Sequence, residues 1–309
     1  MKIVFLGTPD FAVPSLNALI TAGYEVVAVV TQPDRPVGRK AVLTPSPVKV
    51  AALSHGVKVL QFEKISRDGV EELKKLNADI MVTCAFGQIL SKEVIDVAPK
   101  GIINVHGSLL PKYRGAAPVQ YAVINGDKIA GVTIMQTDTG IDTGDILAVE
   151  KTDVGEKETA GELFERLSKL GAELLLKTLK KIEDGSVVPV KQDEKNATYV
   201  KMIKKEDAKI DFSRPAAVVF NLVRGMHPWP IAFTYLRGKL LKIFSCEISH
   251  EEYDGAFGEV VRADMKNGIV VKCGVGAIII NELLLEGGSK QNQREFLAGR
   301  KIFEGDILG

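Results

Sequence analysis

Cysteine is scarce in this sequence: three residues, Cys84, Cys246 and Cys273, lie far apart in apolar stretches and form no CxxC pair. That excludes a disulfide framework and a cysteine zinc site, and it leads us to expect reduced core thiols in a cytoplasmic setting. The four histidines, His55, His106, His227 and His250, lack the short spacing that metal ligands need, so no metal is expected. An excess of either charge is also missing. With 40 Lys and Arg against 39 Asp and Glu, any nucleic acid has to be met by a local basic surface and not by the field of the whole molecule. No apolar run is long enough to span a bilayer, and the amino end enters a strand without a basic leader, so a soluble, unexported chain is expected, with no membrane partner. Finally, the first β-α turn, Gly7-Thr8-Pro9-Asp10, has only one glycine. Pro9 and Asp10 stand where a dinucleotide fingerprint needs glycine to let backbone approach a pyrophosphate, which excludes a nicotinamide dehydrogenase.

What is present points to two domains, the usual division for a chain of 309 residues. Lys2 to Leu6 reads as a buried strand, Asp10 to Ala22 as a helix closed by Gly23, and Glu25 to Val30 as a second strand, which together make a β-α-β unit. Further strands are expected at 57–60, 79–83, 101–105 and 132–136, with helices near 70–76 and 116–124. The alternation is that of an α/β, doubly wound, mostly parallel sheet. Leu163, Leu167, Leu170, Leu174 and Leu175 recur at helical spacing within 160–183, an amphipathic helix that should dock on this domain. From 190 to 207 the periodicity fades into Lys, Asp, Glu and Asn, as in a solvated linker. Beyond it, β-rich segments at 231–236, 239–248, 258–262, 269–272 and 277–285 suggest a small closed barrel. The domains are thus drawn as 1–189, a linker at 190–207, and 208–309.

The chemistry gathers in two Gly-punctuated polar loops, each following an apolar strand. Asn104 and His106 fall at the carboxyl end of the 101–105 strand on alternate positions, sharing one face, and that end of an open α/β sheet is where ligands bind. Taken singly, Asn104 and Asp142 read as turn formers and His106 as a core histidine. Taken together, a side-chain amide beside an imidazole can hold a developing oxyanion, and a carboxylate on the other ring nitrogen, Asp142, fixes the tautomer. The set suits acyl or formyl transfer.

Asn104-Val105-His106-Gly107-Ser108-Leu109-Leu110-Pro111, followed by Tyr113-Arg114-Gly115-Ala116-Ala117-Pro118, resembles the signature of the folate-dependent formyltransferases. Three other segments narrow the resemblance to the branch acting on methionyl-initiator tRNA: Gly7 to Ala12, Thr31 to Pro36 with Pro45 to Lys49, and Gly131 to Gln136. The resemblance implies a Rossmann-like catalytic domain and an OB-like carboxyl-terminal barrel that binds tRNA. It also implies 10-formyltetrahydrofolate as formyl donor and initiator methionyl-tRNA as acceptor, with Asn104, His106 and Asp142 catalytic and a monomer expected. By the same resemblance the pterin lies in a slot walled by Phe86, Gly87, Gln88, Ile89 and Leu90, by Ser108, Leu109, Leu110, Pro111 and Lys112, and by Asp138 and Gly140.

The Pro-rich segment 31–49 is basic through Arg35, Arg39, Lys40 and Lys49 and follows a strand, so it should project near the site. On residues alone it is equally a surface connection; the resemblance implies a loop that enters the tRNA acceptor stem. Two departures from the family pattern stand out. Gly38-Arg39 continues with Lys40-Ala41-Val42 where the family has Gly-Lys-Lys, and Ile231 occupies a position where the family has glycine. Two alternatives stay open at this stage: a formyltransferase acting on a small amine acceptor, and a non-catalytic RNA-binding protein.

Overall fold

The computed structural model describes residues 1–38 and 41–309. The chain divides into two compact units, one comprising 1–118, 129–152 and 164–200, the other 119–128, 153–163 and 201–309. Among the described residues no helix is long and apolar enough to cross a membrane.

The first unit is built on a seven-stranded sheet. In chain order its strands are β1 Lys2–Gly7, β2 Glu25–Thr31, β3 Val59–Gln61, β4 Ile80–Cys84, β5 Ile102–His106, β6 Ile129–Gln136 and β7 Ile146–Asp153, and across the sheet they run β7-β6-β5-β4-β1-β2-β3. The pairings of β1, β2, β3, β4 and β5 are parallel, whereas β6 runs antiparallel to β5. The central strands are apolar throughout because both faces are covered; β1 is buried from Ile3 to Gly7. β7 gives no strand signal in the sequence, since its apolar residues Ile146 to Val149 are followed by a polar run, Glu150 to Asp153, with no apolar/polar alternation, and it lies at the sheet edge. The helix Ala160–Glu183 buries Leu167, Leu174, Leu175 and Leu179 along one stripe. Gly171 of that helix lies against β5 and β6, where an added Cβ would sit 2.9 Å from Val105 Cγ1. Only glycine allows that approach. Val105 therefore points at the helix, which leaves its neighbours Asn104 and His106 on the opposite face.

The second unit is an antiparallel sheet of β8 Ala232–Leu236, β9 Lys239–Ile248, β10 Val260–Asp264, β11 Gly268–Lys272 and β12 Ala277–Leu285, in the order β8-β9-β12-β11-β10, with the short strand Gln291–Asn292 paired to β12 off this path. Among the described residues its two edge strands are joined not to each other but through residues 305–309. Leu308 bridges Leu236 of β8 and Ile307 bridges Glu259 just before β10, while Val260 N–H donates to Asp306 O at 2.8 Å and Gly309 N–H to Tyr235 O at 3.1 Å. Lys209 also bridges Phe233 of β8, so these short segments cover part of the edges that β8 and β10 would otherwise present. Ile231, entering β8, is buried with φ +74°, a left-handed backbone that a β-branched residue rarely adopts.

All three cysteines are free and buried. Burial pushes the Cys84 thiol up to about 12 and the Cys273 thiol up to about 11, and raises that of Cys246 as well.

Candidate active site

His106 ends β5 and is only 6% exposed. Its Nε2 lies 3.0 Å from the Tyr113 carbonyl oxygen. A carbonyl only accepts, so Nε2 carries hydrogen and donates. Its Nδ1 faces Asp142 Oδ2 at 3.6 Å. The ring is thus flanked by two acceptors. Asn104, two residues back on the same face, is half-buried, and among the described residues no hydrogen bond holds its side-chain amide.

Two turns carry the partners of this ring. The turn after β5 is wound on hydroxyls: fully buried Thr133 of β6 donates to Ser108 O at 2.7 Å and accepts from Leu110 N–H at 3.1 Å, and Ser108 Oγ donates to Lys112 O at 2.6 Å. Ser108 and Leu110 are buried, Leu109 and Pro111 half-buried, and Lys112 exposed. The second turn contains Asp142 in the left-handed region, φ +52°, with Oδ2 accepting the Gly115 N–H at 2.8 Å. Asp and Asn tolerate that backbone better than other side chains. Asp138 builds the turn itself, since its Oδ1 accepts from Gly140 N–H at 3.0 Å and from Thr143 Oγ1 at 2.6 Å. A Cβ on Gly140 would fall 2.0 Å from Thr143 Oγ1, so a larger residue here would push Thr143 off its bond to Asp138.

The segment 86–90 also uses its side chains inward. Phe86 and Leu90 are buried in the core beneath the sheet. Gln88 donates to Phe62 O and accepts from Ile65 N–H, both at 2.8 Å. Gln32 Nε2 donates to Gly87 O at 3.0 Å and Thr8 Oγ1 to Phe86 O at 3.0 Å. What remains outward is the backbone at Gly87, with φ +82°, and the side chain of Ile89, 82% exposed. Such a wall offers an apolar residue and peptide groups to a flat ligand.

In the basic segment, Arg35–Val37 pairs antiparallel with Val42–Thr44 as a short hairpin. Arg35 pairs with Glu63 at 2.7 Å, both side chains well exposed. Lys49 lies at the base, with Nζ 2.7 Å from Asp34 Oδ2 and 2.9 Å from Gln61 Oε1; the bond from Lys49, together with that from Gln61 Nε2 to Asp34 Oδ1 at 2.9 Å, holds the Asp34 carboxyl below its ordinary value. Arg39 and Lys40 lie outside the described residues.

Two residues at the site received no role in the sequence reading. Arg114 is fully buried, and Gln192 belongs to the polar stretch read as a solvated linker. Over 192–200 that stretch is bonded to the turn after β5: Arg114 N–H donates to Thr198 O at 2.8 Å, Tyr113 N–H to Thr198 Oγ1 at 2.8 Å and Ala116 N–H to Val200 O at 3.2 Å. A polar, aperiodic segment gives no sign of a strand that pairs for only two residues.

Comparison with known proteins follows the same lines. A family model described as "Formyl transferase" matches residues 1–179, and one described as "Formyl transferase, C-terminal domain" matches 202–301. The chain is 49% identical over 314 residues to the methionyl-tRNA formyltransferase of Lachnospira eligens, with all of both chains covered. It is 49% identical over 310 residues to the enzyme of that name from Citrifermentans bemidjiense, covering all of this chain and 96% of that one. Among solved structures, an N-formyltransferase from Helicobacter canadensis in complex with folinic acid and dTDP-3-aminofucose superposes with a TM-score of 0.70 at 21% identity, covering 94% of this chain and 100% of that one. At that identity the likeness speaks for the fold.

Proposed function

The chain belongs to the methionyl-tRNA formyltransferase family, and on that premise we propose a reading of its reaction: the formyl group of 10-formyltetrahydrofolate passes to the α-amino group of methionine esterified to initiator tRNA. The observation that carries the residue assignment is the imidazole of His106 between Asp142 and the Tyr113 carbonyl, with the unbonded Asn104 amide two residues away on the same strand face. The neighbouring ester lowers the basicity of the acceptor amine, so part of it is neutral near pH 7 and attacks without a strong base. Asn104 donates to the formyl oxygen as negative charge builds on it. Because Nε2 is held by a carbonyl, the proton leaving the attacking amine is handled on the Nδ1 side, where Asp142 stands, and an equivalent proton goes to N10 as the N10–formyl bond breaks and tetrahydrofolate leaves. The domain drawn at 1–189 carries this chemistry, and 208–309 supplies an OB-like surface for tRNA.

The pterin fits a wall of Ile89, Gly87 and the turns at 108–112 and 138–142. Their side chains are largely committed to one another, which leaves peptide groups and apolar surface. Arg35 offers a charge whose exposed partner is easily exchanged for phosphate, together with Arg39 and Lys40, whereas Lys49 serves the loop from its base. A monomer in the cytoplasm is the expected setting. The deciding experiment measures formyl transfer from 10-formyltetrahydrofolate to charged initiator and elongator methionyl-tRNA, with an amino sugar nucleotide as a small-amine control. Preference for the initiator is expected. Transfer to the small amine alone, or equal rates on both tRNAs, overturns this reading.

A further inference from the structure

Behind the Asp142 turn lies a fully buried cation. Arg114 is 0% exposed, and its guanidinium meets Gln192 Oε1 from Nε at 3.0 Å and from Nη2 at 2.8 Å. It also meets both oxygens of Glu194, at 2.9 and 2.7 Å, and the Tyr199 hydroxyl at 2.9 Å. The other end of the Gln192 amide, Nε2, donates to Asp142 O and to Gly144 O, both at 2.8 Å. A guanidinium only donates and a carbonyl only accepts, so the group between them must accept at one end and donate twice at the other. A side-chain amide is the neutral group that does both, and these four contacts also fix which way round it sits.

From this we propose that Gln192, held by Arg114, is a positioning residue for Asp142. The clamp grips the turn by its backbone at Asp142 and Gly144, while Gly115, next to Arg114 in the chain, donates its N–H to the Asp142 carboxylate. One buried arginine therefore sets both the backbone and the side chain of the residue facing His106. The clamp touches neither the imidazole nor any reacting atom; it acts through Asp142. The proposal rests on the assignment of Asp142 to the reaction made above.

Gln192→Glu separates the two ends of the clamp. The carboxylate retains and strengthens the bond to Arg114, so the buried cation stays satisfied, but it has nothing to donate to the carbonyls of Asp142 and Gly144. With the full chain and charged initiator methionyl-tRNA, kcat of Q192E is expected to fall on the order of tenfold to a hundredfold. KM for tRNA should stay within about twofold, because the change lies in the reacting step. Hydrogen exchange of the Gly115 amide, protected by the Asp142 carboxylate, should accelerate. Combined with Asp142→Asn, Q192E should add no further loss, since both act through one side chain. Wild-type kcat in Q192E, losses that multiply in the double variant, or unchanged Gly115 exchange would each overturn the clamp. If D142N alone keeps wild-type turnover, the assignment of Asp142 to the reaction fails, and the clamp is then judged by Gly115 exchange alone. Should Q192E melt out, Gln192→Ala, which removes the donor without adding charge, is read in the same way.

Discussion

At the scale of single residues, the fate of each side chain is decided by whether its polar atoms are already spent. Gln88, Asp138 and Ser108 have theirs committed to nearby backbone, whereas the Asn104 amide is unbonded among the described residues. Asn104→Ala should therefore lower turnover by about a hundredfold or more while leaving the melting temperature almost unchanged. An undiminished rate would remove Asn104 from the reaction. Ile231 poses the opposite case, a buried apolar side chain on a left-handed backbone. Elsewhere glycine is the more destabilising replacement compared with alanine. Here alanine keeps a conformational cost of roughly 1–2 kcal/mol that glycine relieves, so Ile231→Gly should be more stable than Ile231→Ala by about 1 kcal/mol in urea unfolding. The reverse order would mean that the backbone relaxes away from this conformation. That Asn104, His106 and Asp142 come together at one strand end was legible in the sequence, because their types and spacing suit one another. The pairing of Arg114 with Gln192 was not, because it joins residues 78 apart and Gln192 stands in a polar stretch without a pattern.

At the scale of elements, the parallel core could be read from apolar runs bounded by glycine and turn residues, and the long helix from its leucine stripe. The edge strand β7 and the pairing of 199–200 with 114–115 escaped because half-buried and two-residue strands leave no periodicity to detect. The second of these has an electrostatic consequence. Hydrogen bonding to Arg114 holds the Glu194 carboxyl below its ordinary value. A depressed carboxyl contributes stability that is complete above the unfolded value, about 4.3, and is lost as pH falls through the lower folded value. The melting temperature of the wild type should accordingly exceed that of Glu194→Gln at neutral pH, and the gap should close as pH is lowered below about 4. A gap that stays constant down to the acid limit would show that the difference has another origin.

At the scale of the whole molecule, a net charge of +1 gives no long-range pull on tRNA, so RNA contacts have to come from local cations. Arg35 is the described member of the basic loop whose ion pair is solvent-exposed on both sides, and exposed pairs of this kind are weak. Replacing it with alanine should raise KM for methionyl-tRNA and reduce the slope of log KM against log salt by about 1, without altering kcat. An unaltered slope would place Arg35 away from phosphate. The division into a Rossmann-like part and a β-rich part was legible from the change of period along the chain. The bridges from residues 307 and 308 to the edge strands of the second sheet were not, since isolated bridges depend on the edges they meet and not on any pattern of their own.

The three interior thiols bear on how such an enzyme can be studied. With all three thiols enclosed and their protons tightly held, the exterior offers no cysteine to thiol-directed reagents such as maleimides. A cysteine introduced at one surface position becomes the sole address for a dye or spin label, so distances within a working enzyme are open to fluorescence or magnetic resonance without first stripping out native residues.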